Sequence, residues 1–435
     1  MEHNFRTLNY LGSKLRLLDF IEENVLRVAA EGQGVCDLFA GSGCVSYKLS
    51  RHFEVVSCDI QSYSKTICNA LLKKYVVSKN DIERFISELK NEKKLLNSFI
   101  PVIDIEEEAI ETKNLEILTE ILENGSVEVY SLENKKTTLC HQLQEVLSNL
   151  KGNELLNEKS LISRYYGGVY FSYRQAVWID VILESIHRSV AKENRDLFLA
   201  ALLSTASDMA DTVGKHFAQP IKARDSKGNI KITVYNKALK DKTIDVVSLY
   251  RDWLLRYISV PRTSHGFCTM QGDYLECLRN LPASIKTVYA DPPYTRDHYS
   301  RFYHVLETIT LRDSPELSTT NIRGDKHISN GIYRKERHQS PFCIKSKAPD
   351  AFKAMFEIIS KRGINLLLSY SPYDETQKTH PRVVTMRQLI TWARNCFDNV
   401  EIISAGSFKH NKLNSTDHFL DASDEAEVLI VCSNE

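Results

Sequence analysis

The stretch that most constrains the fold is Val35-Cys36-Asp37-Leu38-Phe39-Ala40-Gly41-Ser42-Gly43, followed by a helical run from about Val45 to Leu49. It reads as a buried strand that ends in an acid, enters a glycine loop and continues as a helix. That is the first β-turn-α unit of a nucleotide-binding sheet, where glycines let the loop backbone approach a ligand. It is neither G-x-G-x-x-G nor a phosphate-binding loop, because no Lys-Ser or Lys-Thr pair follows. An acid at the strand's end suits a ligand carrying an amino group and a carboxylate better than a pyrophosphate. The indicated cofactor is therefore S-adenosylmethionine; a glycine turn with no ligand is the plainer alternative.

A second strand, Glu54 to Cys58, ends in Asp59, roughly twenty residues after the glycine loop, where an acid can accept from two ribose hydroxyls. Asp59 can equally cap the helix containing Ile67 and Leu71. After about Lys74 the α/β rhythm stops. Up to about Arg262 the chain reads as helices joined by polar loops, as in the spacing of Leu115, Leu118, Ile121 and Leu122 or of Ala200, Leu203, Ala206 and Met209. A strand-turn-strand is expected around Lys227-Gly228-Asn229, with Ile230 to Val234 as its second arm. The aromatic pieces Tyr165 to Ser172 and Thr212 to Phe217 suit a core better than a platform for bases.

The sheet then resumes. Gly266 to Gln271 forms a third strand closing on Gly272-Asp273, where the acid either accepts from an adenine amino group or caps the helix with Leu275 and Leu278. Lys286 to Ala290, Ile364 to Tyr370, Val400 to Ile403 and Glu427 to Cys432 supply four more strands. The last two are separated by a polar segment, Lys409 to Asn414, rather than a crossover helix, so they are expected to be antiparallel. The fold class is α/β, a Rossmann-like seven-stranded sheet interrupted by a mainly helical insertion. The expected boundaries are 1–74 with 263–435 for the sheet domain and 75–262 for the insertion.

The fourth strand runs straight into Asp291-Pro292-Pro293-Tyr294. An exocyclic amine on a nucleobase is a poor nucleophile because its lone pair is delocalised into the ring. The Asp291 carboxylate and the Pro292 carbonyl are two acceptors that can hold the two amine hydrogens and favour the nucleophilic form. Two prolines stiffen the loop and donate no hydrogen bond. Tyr294 offers a flat face, and stacking on an extruded base is worth about 1–3 kcal/mol. An ordinary Asp-Pro turn is the plainer reading of the tetrapeptide alone. The polar and aromatic stretch Thr295 to His304 is long enough to close over a base. His298 and His304 stand too far from other ligand types to make a metal site, and no metal is expected.

Near the start, Asn9-Tyr10-Leu11-Gly12-Ser13-Lys14 precedes a helical run through Leu18, Ile21 and Val25. Gly12 would let the backbone approach a ligand, and Lys14 at a helix start would favour a carboxylate, against the plainer reading of a Gly-Ser cap. Formal net charge is zero, so any nucleic-acid surface must be local. Two stretches are locally basic: Lys215 to Arg262, with Lys222, Arg224, Lys227, Lys231, Lys237, Lys240, Lys242, Arg251 and Arg256, and a second with Arg323, Lys326, Arg334, Lys335, Arg337, Lys345 and Lys347. The ten cysteines make no C-x-x-C pair, against a zinc or disulfide framework. No apolar run reaches membrane-spanning length and the first residues lack a signal-peptide core, so a cytoplasmic, nucleoid-associated protein with no membrane partner is expected.

Together, NYLGSK, DLFAGSG, the acid after the second strand, the Gly-Asp before DPPY and the order of all four resemble site-specific DNA adenine-N6 methyltransferases of restriction-modification systems. In that arrangement cofactor motifs come first, target recognition lies in the middle and DPPY comes late. The resemblance implies Tyr10, Gly12, Lys14, Asp37, Phe39, Gly41, Gly43, Asp59 and Asp273 around S-adenosylmethionine. It also implies Asp291 touching both the methionine part and the target amine, and Tyr294 stacked on a flipped adenine in double-stranded DNA. A separately encoded restriction endonuclease is an implied partner. An N4-cytosine or RNA methyltransferase, or a DNA-binding relic without catalysis, are the alternatives. A C5-cytosine enzyme is disfavoured because no Pro-Cys pair occurs.

Overall fold

The computed structural model describes residues 5–89, 93–133, 136–322, 324–371, 382–405 and 427–434. Two compact units emerge, one formed by Met1–Lys74, Val260–Ser300 and His338–Glu435, the other by Tyr75–Ser259 and Arg301–Arg337. Segment 301–337, which the sequence offers as part of the sheet domain, lies with the helical unit.

The first unit is built on seven strands: β1 (Gly34–Asp37), β2 (Val55–Asp59), β3 (Phe267–Gln271), β4 (Ile285–Ala290), β5 (Asn365–Tyr370), β6 (Asn399–Ser404) and β7 (Val428–Ser433). Their spatial order is β3-β2-β1-β4-β5-β7-β6. From β3 to β5 neighbouring strands are parallel, with Cys36 opposite Val56 on one side and Val288 on the other. Alternate side chains build the two faces. Cys36, Val56, Val288, Leu366 and Ile430 pack with the helices Tyr274–Arg279, Ala348–Lys361 and Met386–Arg394. Their neighbours Val35, Val55, Tyr289, Leu367 and Leu429 pack with Leu18–Val28 and Cys44–Leu49. Burial on both faces explains why the central strands read as continuous apolar runs, whereas the edge strands β3 and β6 are largely exposed.

The antiparallel pairing expected of the last two strands is present. Strand β7 is the reversed member, slotted between β5 and β6 and antiparallel to both. It therefore brings its amino end, not its carboxyl end, to the edge where β1, β4 and β5 finish: Val428 lies opposite Tyr370. The Lys409 to Asn414 segment lies outside the described residues, as does Arg323.

The second unit is mainly helical, with one antiparallel ribbon, Thr319–Ile322 against Asp325–Ile328. Its long helices include Tyr173–Ser189, Arg195–Met209 and Val246–Ser259. Ser172 and Gln175 cap the first of these reciprocally, which satisfies two backbone donors at once. Tyr166, Tyr170, Phe171 and Phe217 are fully buried, so both aromatic pieces are core. His304 is buried among Tyr166, Tyr170, Phe217 and Tyr333 rather than in an open loop, and burial pushes its pKa down to about 3. The strand-turn-strand around Lys227 is reduced to a single bridge between Arg224 and Ile230. The Asp225 carboxylate accepts the backbone amides of Lys227 and Asn229, closing a self-contained turn, and the expected second arm turns into the helix Thr233–Lys237.

Candidate active site

Strand order reverses between β1 and β4, since the chain leaves β1 toward β2 and returns on its other side with β4. A crevice outside the carboxyl ends of the strands at such a point is the usual ligand site of an open α/β sheet. A cavity of about 790 Å³, its open mouth included, lies there. Tyr10, Phe39, Asp59, Asp273, Asp291 and Pro293 line it together, although they come from five separate parts of the sequence.

The acids at its rim are held by backbone. Asp59 accepts the amides of Gly41 at 2.8 Å and Gln61 at 2.9 Å, which ties the glycine loop to the end of β2. Asp273 accepts the amide of Leu275 at 2.9 Å and caps the helix Tyr274–Arg279 while also facing the cavity. Both readings of Asp273 therefore hold at once. Phe39 stands edge-on to Phe342, ring centroids 5.4 Å apart, beside Tyr274. Gly41 is required by contact as well as by backbone: its φ is +50°, and a Cβ there would stand 2.6 Å from the Tyr10 hydroxyl oxygen.

Other expected residues are placed behind the cavity wall. Gly43 starts the helix Cys44–Leu49 in the left-handed region. Gly12 lies in the turn whose Leu11 carbonyl accepts from the Tyr299 hydroxyl at 3.1 Å. Asp37 is not part of the cavity lining: its carboxylate turns to the helix Cys44–Leu49 and accepts from the Ser46 amide at 2.9 Å and hydroxyl at 2.7 Å. The reason is local, because Ser46 lies in the first turn of the next helix, whose amides have no partner within the helix. Burial pushes the Asp37 carboxyl up to about 7. Pro292 is buried. Tyr294 packs on Tyr370 with centroids 5.0 Å apart, and the Arg382 guanidinium lies 4.7 Å from its ring centre.

Lys14 departs most from expectation. It begins a single 3-10 turn, too short for a strong N-terminal field, and its ammonium is already paired. Nζ lies 3.0 Å from Asp291 Oδ1 and 3.0 Å from Glu427 Oε1, with Lys14 and Glu427 almost wholly buried. Burial alone would lower the Lys14 pKa, but the carboxylates of Asp291 and Glu427 raise it well above its ordinary value. Burial raises the Asp291 carboxyl to about 6, with Lys14 opposing and Glu427 adding to the rise. At neutral pH Asp291 is thus mostly a carboxylate, an acceptor directed at whatever occupies the cavity.

Residues 10–118 match the family model described as D12 class N6 adenine-specific DNA methyltransferase. Over that stretch the chain is similar to the D12 class N6 adenine-specific DNA methyltransferases. It is 24% identical over 412 residues to modification methylase LlaI of Lactococcus lactis subsp. lactis, covering 94% of this chain and 52% of that protein. It is 24% identical over 371 residues to the type II methyltransferase M.FokI of Planomicrobium okeanokoites, covering 84% and 44%. To the type II methyltransferase M.NlaIII of Neisseria lactamica it is 25% identical over 360 residues, covering 80% and 79%. The chain spans about half the length of the first two.

Sequence reasoning missed Glu427 and the wall formed by His338, Ser340, Pro341 and Phe342. Glu427 had been visible only as the first residue of an apolar strand. The usable signal was an acid just before a strand that must run backwards. Several basic residues of the two stretches are paired within the helical unit: Lys215 and Lys237 with Asp241, Lys242 with Glu106, Arg224 with Glu123, Arg251 with Glu83, Arg334 with Asp313 and Lys335 with Glu316. Arg301 and Arg337 differ. Their guanidinium carbons lie 4.9 and 5.5 Å from the centre of the Tyr333 ring. Burial and the charge of Arg301 lower the Arg337 pKa. Among the described residues no helix is long and apolar enough to cross a membrane, and no cluster of His, Cys, Asp or Glu could hold a metal ion.

Proposed function

We propose that the protein transfers a methyl group from S-adenosylmethionine to the N6 amine of an adenine in a specific double-stranded DNA sequence, as the modification enzyme of a restriction-modification pair. The observation that carries this is the position of Asp291, at the switch point of the sheet, on a proline-stiffened loop beside an aromatic cavity rimmed by two further acids. The cavity fits the cofactor by chemistry. Phe39, Tyr274 and Phe342 offer apolar and aromatic surface for a purine, and Asp59 and Asp273 offer acceptors for hydroxyl and amino groups.

The bound cofactor supplies an activated methyl group on a sulfonium. Asp291 and the Pro292 carbonyl hold the hydrogens of the target amine, drawing its lone pair out of conjugation. Tyr294 offers the face on which the extruded base stacks, with its ring backed by Tyr370 and Arg382. The helical unit reads the DNA sequence. Arg301 and Arg337, held on one tyrosine ring without a carboxylate partner among the described residues, are suited to a backbone phosphate.

Expression in a host lacking adenine methylation, followed by modification-sensitive sequencing of its DNA, tests the reading. The expected result is N6-methyladenine in one short motif. Unmodified adenine together with methylated cytosine would replace adenine as the target.

A further inference from the structure

Glu427 is an expensive residue for a protein to bury. Its side chain is 2% exposed, and Oε1 accepts from both Lys14 Nζ at 3.0 Å and the Ser369 hydroxyl at 2.7 Å. Its Oε2 is fully buried and has no hydrogen-bond partner among the described residues. The fold does not need this carboxylate to neutralise Lys14, because Asp291 lies at the same distance, 3.0 Å, from the ammonium. Two carboxylates on one ammonium leave a negative charge in excess, inside the sheet edge where desolvation makes charge costly and its field strong.

We propose that Glu427 is a positioning residue that fixes Lys14 against Asp291 and gives this buried cluster a net negative charge complementary to the sulfonium of S-adenosylmethionine. The proposal rests on the methyl-transfer reading above for its cofactor, but not for the identity of the methyl acceptor. Without Glu427, Asp291 and Lys14 would form a neutral pair with little field to offer a cation. With it, a carboxylate remains uncompensated beside the site where positive charge passes from sulfur to the amine nitrogen and leaves as a proton. Among the other titratable groups facing the cluster, only Asp37 can carry part of that charge at neutral pH. Tyr289, Tyr294 and Cys44 are all raised by burial and stay protonated at neutral pH, and burial brings Asp37 to about 7. Arg382 lies against Tyr294.

The test is calorimetric titration of the full chain, without DNA, with S-adenosylmethionine and with S-adenosylhomocysteine, its uncharged thioether counterpart. The ratio of the two affinities should fall about five-fold or more in Glu427→Gln, as expected for removal of one nearby charge at an effective protein dielectric. The acid limb of kcat/KM should move to lower pH, because Glu427 raises the Asp291 pKa. Lys14→Gln should move both readouts the opposite way, and Glu427→Asp, which keeps the charge, should largely preserve the ratio. Lower activity in Glu427→Gln with an unchanged ratio and an unchanged acid limb would reduce Glu427 to a structural role and overturn the proposal. So would a Glu427→Asp protein whose ratio collapses, and that variant together with Lys14→Gln carries the test if the glutamine protein does not fold. The affinity ratio is read without a methyl acceptor. A wild-type protein that keeps it but methylates no adenine would overturn the proposed substrate while supporting the role of Glu427.

Discussion

Each of the two units buries a lysine against glutamate, and the two arrangements differ in what they leave over. In the helical unit Lys242 and Glu106 are both about 1% exposed. Lys242 donates to Glu106 Oε1 and to the Gly168 carbonyl, while Glu106 Oε2 accepts the Tyr173 amide. One charge meets one charge, and both carboxylate oxygens are bonded. In the sheet unit Lys14 meets two carboxylates, and Glu427 keeps an unbonded oxygen. A matched buried pair fixes structure, whereas a mismatched one stores a field that a charged ligand can complete.

Removing either mismatched carboxylate should therefore affect chemistry more than stability, and breaking the matched pair should do the reverse. The largest effect is expected for Asp291→Ala, which should lower methyl transfer by about a thousand-fold or more while leaving the thermal midpoint close to wild type; turnover assays and a melting curve on one preparation check it. Lys242→Met leaves Glu106 buried and uncompensated, a change that typically costs about 3–5 kcal/mol. Urea unfolding should register that loss, and cofactor affinity measured well below the midpoint should be unaltered. Tyr294→Ala should lower kcat/KM by roughly 5- to 150-fold, the loss of one stacking contact, with little change in S-adenosylmethionine affinity. An equal loss of both would mean that Tyr294 serves the cofactor instead of the base. Replacing Arg301 or Arg337 by Ala should reduce the slope of log affinity against log salt by about 1 each, without shifting the preferred DNA sequence. The smallest effect is one of pH: activity should decline as pH falls through about 6, because a protonated Asp291 becomes a donor where an acceptor is required. A rate that is flat down to pH 5 would remove Asp291 from that role.

The sheet was legible because its strands obey short-range rules. Apolar runs ending in Asp37, Asp59 and Asp291 mark parallel strands buried on both faces, and the carboxyl-end rule then gathers their loops at one edge. The same rule concealed Glu427, since it looks for ligands after strands and β7 runs backwards. His338 to Phe342 was equally silent, because a wall segment has no periodicity and is fixed only by what it packs against, here Phe39 and Tyr274. For Asp37 the pattern gives the position at the end of β1, whereas the turn of its carboxylate to Ser46 depends on which side of the strand it leaves. The ion pairs that hold Lys215, Arg224, Lys237, Lys242 and Arg251 in the basic run were hidden for a related reason. Charge counted along the sequence ignores the carboxylates of Glu83, Glu106 and Glu123, each from a helix more than a hundred residues away from its partner.

The reversed strand also sets an order of assembly. Lys14 and Glu427 are 413 residues apart, so the pair closes only after almost all the intervening chain has been made. During synthesis the glycine loop, the first six strands and the DPPY loop all emerge before β7 enters the slot between β5 and β6. Until β7 is paired, Glu427 is not beside Lys14, so the charge proposed for the cluster depends on that one strand pairing. Formation of the glycine-loop end of the sheet and closure of the Lys14–Glu427 pair are therefore separate events, joined only by the pairing of β7 with β5.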